Sequence, residues 1–204
     1  MVFIALALIG FAIIHLCDPA AIKRVPFAKP VAWLTGLGLL IYSGVMASLS
    51  GEKFDLPGWT VGLGWALLAA SSALIVFSLF VNIPFRKTYV ATGIGDRLVT
   101  TGFYSLTRHP GVLWTALLVG SLVLVSRSYL VLAAAPVIVT ADVLLVAIQD
   151  RFFFGRMFPG YEEYRRDTPM LVPNARSIKA FTVWLRQTYV VHCLKGENND
   201  FQPS

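Results

Sequence analysis

The chain has 204 residues, of which 56% are hydrophobic and only 14% are charged. A water-soluble domain of this length does not need so many apolar residues to fill its core, so the composition indicates a membrane protein. The net charge of +6 does not indicate a nucleic-acid partner. All but two of the 17 Lys and Arg residues fall on one side of the membrane in the topology below, as the positive-inside rule alone would produce.

The first apolar segment covers residues 2–16 and is shorter than the roughly 20 residues that a membrane-spanning helix needs. No basic segment precedes it, and no small-residue cleavage site comes before Asp18. We therefore predict a retained first helix instead of a cleaved signal peptide.

Residues 31–50 and 59–83 are uncharged, long enough to span a bilayer, and separated by a turn-rich segment. They predict a helical hairpin. The second of these segments begins with small residues at four-residue spacing, a pattern that lets helices approach closely in membranes. These residues, predicted to form a packing face, are Gly58, Gly62, Ala66 and Ala70.

The chain becomes polar over residues 84–107, which predicts a loop outside the bilayer. It is long for a connection inside a compact domain, and such loops are commonly functional. A second helical hairpin is predicted from Pro110–Ser126 and Tyr129–Ile148, which gives five transmembrane helices. Asp142 lies within the last one, so we expect its carboxyl group to face the bundle interior, a partner or a cavity.

The orientation follows from the basic residues, because only Lys53 and Arg127 lie on the side opposite the rest. The N-terminus is predicted outside and the C-terminus in the cytosol of an inner or cytoplasmic type of membrane. The loop before the fourth helix and the segment after the fifth then share the cytosolic face. Since these two helices form a hairpin, the two polar segments must also be neighbours in space.

The C-terminal part has aromatic and aliphatic residues at helical spacing over residues 177–194, with basic residues between them. This pattern predicts an amphipathic helix at the membrane interface, and a plain cytosolic helix is the alternative. Residues 196–204 are expected to be disordered. Cys17 and Cys193 both lie on the reducing side, so we predict no disulfide, and no cluster has the spacing of a metal site.

The expected fold is therefore an all-α polytopic membrane protein with about five transmembrane helices and a C-terminal interfacial helix. We divide it into three regions. Residues 1–83 form an N-terminal three-helix membrane region, residues 84–176 a region with helices four and five and the polar segments that flank them, and residues 177–204 the interfacial helix and tail.

Arg108 and His109 are the chemically most informative residues, because they stand directly before the helix that begins at Pro110. A guanidinium and an imidazole at a helix N-terminus favour binding of an anionic group. The alternative is that Arg108 contacts lipid phosphates while His109 caps the helix.

The run Leu98-Val99-Thr100-Thr101-Gly102-Phe103-Tyr104-Ser105-Leu106-Thr107-Arg108-His109-Pro110 resembles a family signature. It is similar to the Leu-Val-x-x-Gly-x-Tyr-x-x-x-Arg-His-Pro pattern of integral membrane methyltransferases of the isoprenylcysteine carboxyl methyltransferase and phospholipid methyltransferase group. A second block supports the resemblance, with an acid at Asp150 and a Tyr-containing stretch over residues 158–173. Together the blocks cover residues 92–173.

The resemblance departs from the family pattern at three points. The acidic pair of the family is Asp150-Arg151 here, which keeps one carboxylate. The Tyr that often follows His-Pro is absent, and the Phe-Gly step contains Pro159 between Phe158 and Gly160.

The resemblance implies S-adenosylmethionine as cofactor, in a cytosolic cofactor pocket between the two blocks, and so implies that residues 84–176 are the cofactor-binding region. It implies that Asp150 accepts hydrogen bonds from ribose hydroxyls or the amino group and that Arg108 pairs with the cofactor carboxylate. The adenine and ribose would be lined by Leu98, Val99, Gly102, Tyr104, His109 and Pro110.

The implied reaction is methyl transfer at the cytosolic face to an acceptor that is lipophilic, or a small thiol, carboxyl or amine compound. Such a displacement needs alignment more than a strong base, and the sequence assigns no catalytic base. Arg151 and Arg165 are candidates for holding a thiolate or carboxylate acceptor. Glu162 and Glu163 are expected to be solvated charges.

Two other functions fit parts of the pattern. Membrane reductases of the steroid reductase type, which use NADPH, also carry Arg-His-Pro. They typically continue with Asn-Tyr, where this chain has Gly111-Val112. A non-enzymatic membrane scaffold is the second alternative, and it predicts no cofactor binding.

Overall fold

The computed structural model describes residues 1–94 and 97–197, with side chains up to residue 188. The described residues are helical apart from their connections, and a β-bridge joins Lys53 to Ser128. Three π-helical turns occur at Phe77–Val81, Arg86–Val90 and Gln149–Phe153. The α-helices are α1 (Val2–His15), α2 (Cys17–Ile22), α3 (Ala28–Leu49), α4 (Trp59–Val76), α5 (Phe103–Leu106), α6 (Pro110–Ser126), α7 (Tyr129–Ile148), α8 (Phe154–Met157), α9 (Tyr161–Asp167) and α10 (Ala175–Glu197).

The five predicted apolar segments are all helical. Four continuous helical stretches are long and apolar enough to cross a membrane: Val2–Ile22, Ala28–Leu49, Trp59–Val81 and Tyr129–Met157. The fifth, α6, is apolar and has 17 residues. The protein is therefore an all-helical membrane protein.

Three boundaries differ from those predicted. The first helix does not end near residue 16, because α2 continues α1 and gives a stretch of 21 residues. The last apolar helix continues through the turn Gln149–Phe153 to Met157. Residues 84–107 are not wholly a loop, since they include the turn Arg86–Val90 and α5.

Predictions for the C-terminal end extend beyond the described structure. Helix α10 is longer than the predicted 177–194, and it includes Gly196 and Glu197 of the segment expected to be disordered. Residues 198–204 and the side chain of Cys193 lie outside the described residues.

The packing of α1 against α3 depends on two glycines. A Cβ atom on Gly36 would lie 2.6 Å from the carbonyl oxygen of Gly10 and 2.5 Å from Cγ1 of Ile14. Both distances are shorter than any ordinary van der Waals contact, so only glycine permits this approach. Close approach of backbones at small residues is a common way for membrane helices to associate.

The predicted packing face of α4 is wrong. Gly58, Gly62, Ala66 and Ala70 are all exposed, and a Cβ on either glycine would meet no atom within 4 Å. The buried face lies two residues away along the helix. It consists of other small residues, namely Thr60, Gly64, Ser71 and Ser78.

The buried hydroxyl residues explain the error. A hydroxyl side chain can return its hydrogen bond to its own helix, as Ser71 does to the carbonyl of Leu68 at 3.2 Å, and then pack as a small apolar residue. Gly64 lies where a Cβ would come within 2.9 Å of Leu124 and Val125 of α6.

The turns at one end of the bundle are joined by backbone hydrogen bonds. The amide of Phe54 donates to the carbonyl of Arg127 at 2.8 Å, and the amide of Tyr129 donates to that of Glu52 at 3.1 Å. The Ser128 hydroxyl donates to the carbonyl of Ala47 at 3.0 Å. Because these turns start and end the apolar helices, the N-terminus of α6 and the C-terminal part of α7 both lie at the opposite end.

Replacing Gly36 with leucine tests the α1–α3 contact. We expect Gly36→Leu to lower the free energy of unfolding by about 1–3 kcal/mol or more, because the added side chain meets backbone. Thermal unfolding in detergent measures the change. Gly38→Leu is the matched control on the same helix, since a Cβ there meets nothing within 4 Å. Equal destabilisation by both substitutions would contradict the proposed contact.

Candidate functional site

A single buried carboxylate organises the end of the bundle opposite the Lys53–Ser128 bridge. Asp150 lies in the π-helical turn after α7, and only 4% of it is exposed. The guanidinium of Arg108 lies beside it: Nη2 donates a hydrogen bond to Oδ2 at 3.2 Å, and Nε lies 3.0 Å from Oδ1 without the geometry of a hydrogen bond. Hydrogen bonds between two charged groups are among the strongest that side chains make.

Three further side chains contact the same carboxylate. His109 places Nε2 3.3 Å from Oδ1, and the Tyr161 hydroxyl donates to that oxygen as well. Nε of Arg165 lies 3.5 Å from Oδ2. We call these five residues, Asp150, Arg108, His109, Tyr161 and Arg165, the Asp150 cluster.

The Asp150 cluster carries a surplus of positive charge. Two guanidinium groups face one buried carboxylate, and the Arg165 side chain is 36% exposed. Glu162 also approaches Arg165, at 3.8 Å, but its side chain is 68% exposed and the contact is correspondingly weak. The exposed edge of the cluster therefore favours an anion.

Backbone hydrogen bonds join the two polar segments beside the cluster. Two backbone amides directly before α6 donate to carbonyls of the segment after α9. The amide of Arg108 donates to Pro169 at 2.9 Å, and the amide of His109 donates to Met170 at 3.2 Å. Amides at a helix N-terminus have no partner within the helix, so these bonds satisfy groups that would otherwise need water. The prediction that the two segments are neighbours is confirmed.

Side chains add two more links between the segments. Nη1 of Arg108 donates to the carbonyl of Arg165 at 2.7 Å. The hydroxyl of Tyr164 donates to the carbonyl of Tyr104 at 2.6 Å. Tyr161 and Tyr164 both face inward because they are three residues apart on α9, which begins after Gly160 in a left-handed conformation (φ 82°).

Burial holds the tyrosines of the site in their protonated form. Burial, followed by the hydrogen bond to the Asp150 carboxylate, raises the pKa of Tyr161 far above its ordinary value. Burial also raises the pKa of Tyr164 and of Tyr104. These hydroxyls are therefore hydrogen-bond donors at neutral pH, and none of them is a ready base.

The remaining predicted cofactor residues surround the cluster. Leu98 and Val99 are half-buried and lie outside any helix, and Pro110 is the buried first residue of α6. Tyr104 directs its hydroxyl to the carbonyl of Ser78 at 3.4 Å. Gly102 has a left-handed φ of 66°, and the Asn82 side chain occupies the position that a Cβ would take.

The contacts of Arg108 and Asp150 differ from their predicted roles. The sequence assigned the two residues to different groups of a ligand, whereas the structure pairs them with each other. Of the two arginines considered for holding an acceptor, Arg165 belongs to the cluster. Arg151 is exposed, and its guanidinium lies over the Phe152 ring at 5.9 Å.

The predicted positions of three acids are confirmed. Glu162 and Glu163 are exposed to solvent. Asp142 is buried and faces α6, where its carboxyl group is hydrogen-bonded to Thr115.

Two contributions to the site were missed. Tyr161 and Tyr164 stand in the second block of the sequence, and their three-residue spacing after Gly160 was the available signal. Lys29 is buried, and its Nζ donates to the carbonyls of Gly93 at 2.9 Å and Lys87 at 3.3 Å. It anchors the segment before Leu98, and no local pattern could reveal a partner so distant in the chain.

Comparison with known protein families, with curated proteins and with solved structures found no match for this chain.

Replacing Asp150 with asparagine tests the cluster as a structural element. We expect Asp150→Asn to destabilise the protein by about 3–5 kcal/mol, because Arg108 would keep its buried charge without a carboxylate. Asp167→Asn is the control, since Asp167 pairs with Arg176 at 3.0 Å on the exposed surface. That change should cost at most about 1 kcal/mol. Unfolding in detergent at several denaturant concentrations would compare them, and similar losses would contradict the cluster's role.

The raised pKa of Tyr161 predicts a loss of stability in alkali. In the unfolded chain tyrosine ionises at about pH 10, whereas folded Tyr161 keeps its proton. The contribution of the Tyr161 hydroxyl to the free energy of unfolding is therefore fully present below that pH and declines as pH rises above it. The decline from this one group is at most about 1.4 kcal/mol per pH unit. Tyr161→Phe should show a shallower dependence of unfolding free energy on pH than the unmodified protein. Identical slopes would be evidence against this protonation state.

Proposed function

We propose that this protein transfers a methyl group from S-adenosylmethionine to an acceptor at the membrane surface. The observation that carries the proposal is the convergence of two polar segments on one buried, positively surrounded carboxylate at the end of an apolar helical bundle. The chain order of these segments is that of the membrane methyltransferase pattern described above.

The residues present fit the polar groups of this cofactor. Its carboxylate would find the surplus positive charge of the Asp150 cluster, with Arg165 as the partner. Arg165 is the group best able to change partners, because it is partly exposed and its contact to Asp150 is the longest, at 3.5 Å. Two buried polar atoms, Oγ1 of Thr107 and Oδ1 of Asn82, have no hydrogen-bond partner within the described part of the chain and could accept donors of the ligand.

The cofactor supplies a methyl group on a positively charged sulfur, and transfer requires the acceptor to align opposite the bond that breaks. The chain contributes position and exclusion of water. His109 stacks on Phe154 at 5.6 Å, and Phe154 packs against Phe158 and Tyr161. This aromatic wall would shield the reacting groups from water, and Asp150 would hold Arg108 and His109 in place behind it.

The proposal places the Asp150 end of the bundle at the cytosolic face of an inner-type membrane. Water-soluble cofactor would enter there, while a lipophilic acceptor would approach from the bilayer. Helix α10 packs on α5 through stacked rings of Phe181 and Phe103, 5.5 Å apart. Its exposed residues include Ile178 and Leu185 as well as Lys179 and Arg186, a combination suited to the interface. In this arrangement α6 would be a fifth, shorter span.

Calorimetric titration of the detergent-purified protein tests the proposal. We expect S-adenosylmethionine to bind and NADPH not to bind. His109→Ala should weaken binding by about tenfold, because it removes a contact to Asp150 and the stack on Phe154. Binding of NADPH alone would favour a reductase, and binding of neither ligand would favour a non-enzymatic role.

A pair of arginine variants tests the predicted anion contact. Arg165→Ala should weaken binding of S-adenosylmethionine by about tenfold or more, because a charge-assisted hydrogen bond is lost. Arg176→Ala serves as the control, since Arg176 pairs with an exposed acid outside the cluster. Equal affinities for the two variants would contradict a role for Arg165.

A further inference from the structure

The side chain of Asn82 has an unusual environment for a neutral amide. It follows the π-helical turn at the end of α4, where its backbone amide donates to the carbonyl of Phe77 at 2.9 Å. The side-chain oxygen Oδ1 is buried and has no hydrogen-bond partner among the residues that the structure describes. The side-chain nitrogen lies 3.5 Å from the carbonyl oxygen of Thr101, the outer limit for a hydrogen bond.

An unpaired buried carbonyl oxygen is costly, and native proteins contain few of them. Exchanging the amide oxygen and nitrogen does not remove the problem, because the oxygen would then face the Thr101 carbonyl. The arrangement is also held in place sterically. A Cβ on Gly102 would lie 1.9 Å from Nδ2 of Asn82, so glycine at this position is what admits the amide.

The Asn82 side chain lies against Gly102, and the next residue in the chain, Phe103, belongs to an aromatic group. Phe103 packs edge-on against Phe77 with ring centres 5.7 Å apart and against Trp114 at 5.2 Å. A neutral acceptor beside such a group of rings suits the amino group and ring face of a purine better than a charged amino-acid group. The charged residues of the site belong instead to the Asp150 cluster.

We infer that Oδ1 of Asn82 accepts a hydrogen bond from the 6-amino group of the adenine of the bound cofactor. The inference rests on the proposed function and adds to it the residue that selects adenine over other purines. It also gives the ligand a direction, with its base beside Asn82 and Gly102 and its carboxylate beside Arg165.

Two product-type ligands that differ at one group test this assignment. S-adenosylhomocysteine carries the 6-amino donor, while S-inosylhomocysteine carries an oxygen there. We expect the unmodified protein to bind the former about tenfold more tightly, since two facing acceptors repel and leave Asn82 unpaired. In Asn82→Ala the ratio should fall close to one, and in Asn82→Asp, which keeps an acceptor, the preference should persist.

Asn174→Ala is the matched control, because the Asn174 side chain is already satisfied by the backbone amide of Ser177 at 2.9 Å. It should keep the preference of the unmodified protein. Thermal unfolding without ligand shows whether each variant is folded, and Asn82→Asp supplies the test if Asn82→Ala is not. A preference retained in Asn82→Ala, or absent from the unmodified protein, would overturn the inference and leave the proposed function standing. Failure of the unmodified protein to bind S-adenosylhomocysteine at all would overturn both.

Discussion

The carboxylate of Asp150 must be compensated because it is removed from water at the end of an apolar bundle. Leaving such a charge unpaired would cost about 3–5 kcal/mol, as in other proteins whose buried ion pairs are broken. The protein meets this demand with groups from two segments that are distant in the chain, Arg108 and His109 before α6 and Tyr161 and Arg165 on α9. The ion pairs that compensate Asp150 thus also bring together the two segments that form the candidate site. Two guanidinium groups face this one acid, and the surplus of positive charge favours an anion at the exposed edge of the cluster.

The rest of the fold delivers these segments to one place. Backbone hydrogen bonds between Phe54 and Arg127 and between Tyr129 and Glu52 close the opposite end of the bundle. These turns join α3 to α4 and α6 to α7. The close contact of Gly10 with Gly36 keeps α1 and α3 together. The side-chain amide of Gln149, next to Asp150, also donates a hydrogen bond to the carboxylate of Asp18 in α2. Helix α2 therefore supports the turn that carries Asp150, although it contributes no residue to the Asp150 cluster.

Hydropathy alone predicted the helices well, because length and apolar composition decide which segments can cross a bilayer. It also predicted that residues before α6 and after α7 meet, since a hairpin leaves no alternative. Hydropathy could not predict which face of each helix is buried, or which residues distant in the chain contact each other. The buried face of α4 was misplaced because Ser71 and Ser78 pack as small residues while glycines at 58 and 62 face outward. The pairing of Arg108 with Asp150, and the anchoring of residues 87–93 by Lys29, depend on three-dimensional contacts that no local pattern records.

Hydrogen–deuterium exchange with and without S-adenosylhomocysteine tests most directly whether the Asp150 cluster and its two segments form the cofactor site. We expect slower amide exchange in peptides covering residues 98–110 and 150–170 when the ligand is added. Peptides covering residues 50–58, at the opposite end, should be unaffected and serve as the internal reference. Unchanged exchange in both segments at saturating ligand, or protection by NADPH instead, would contradict the account.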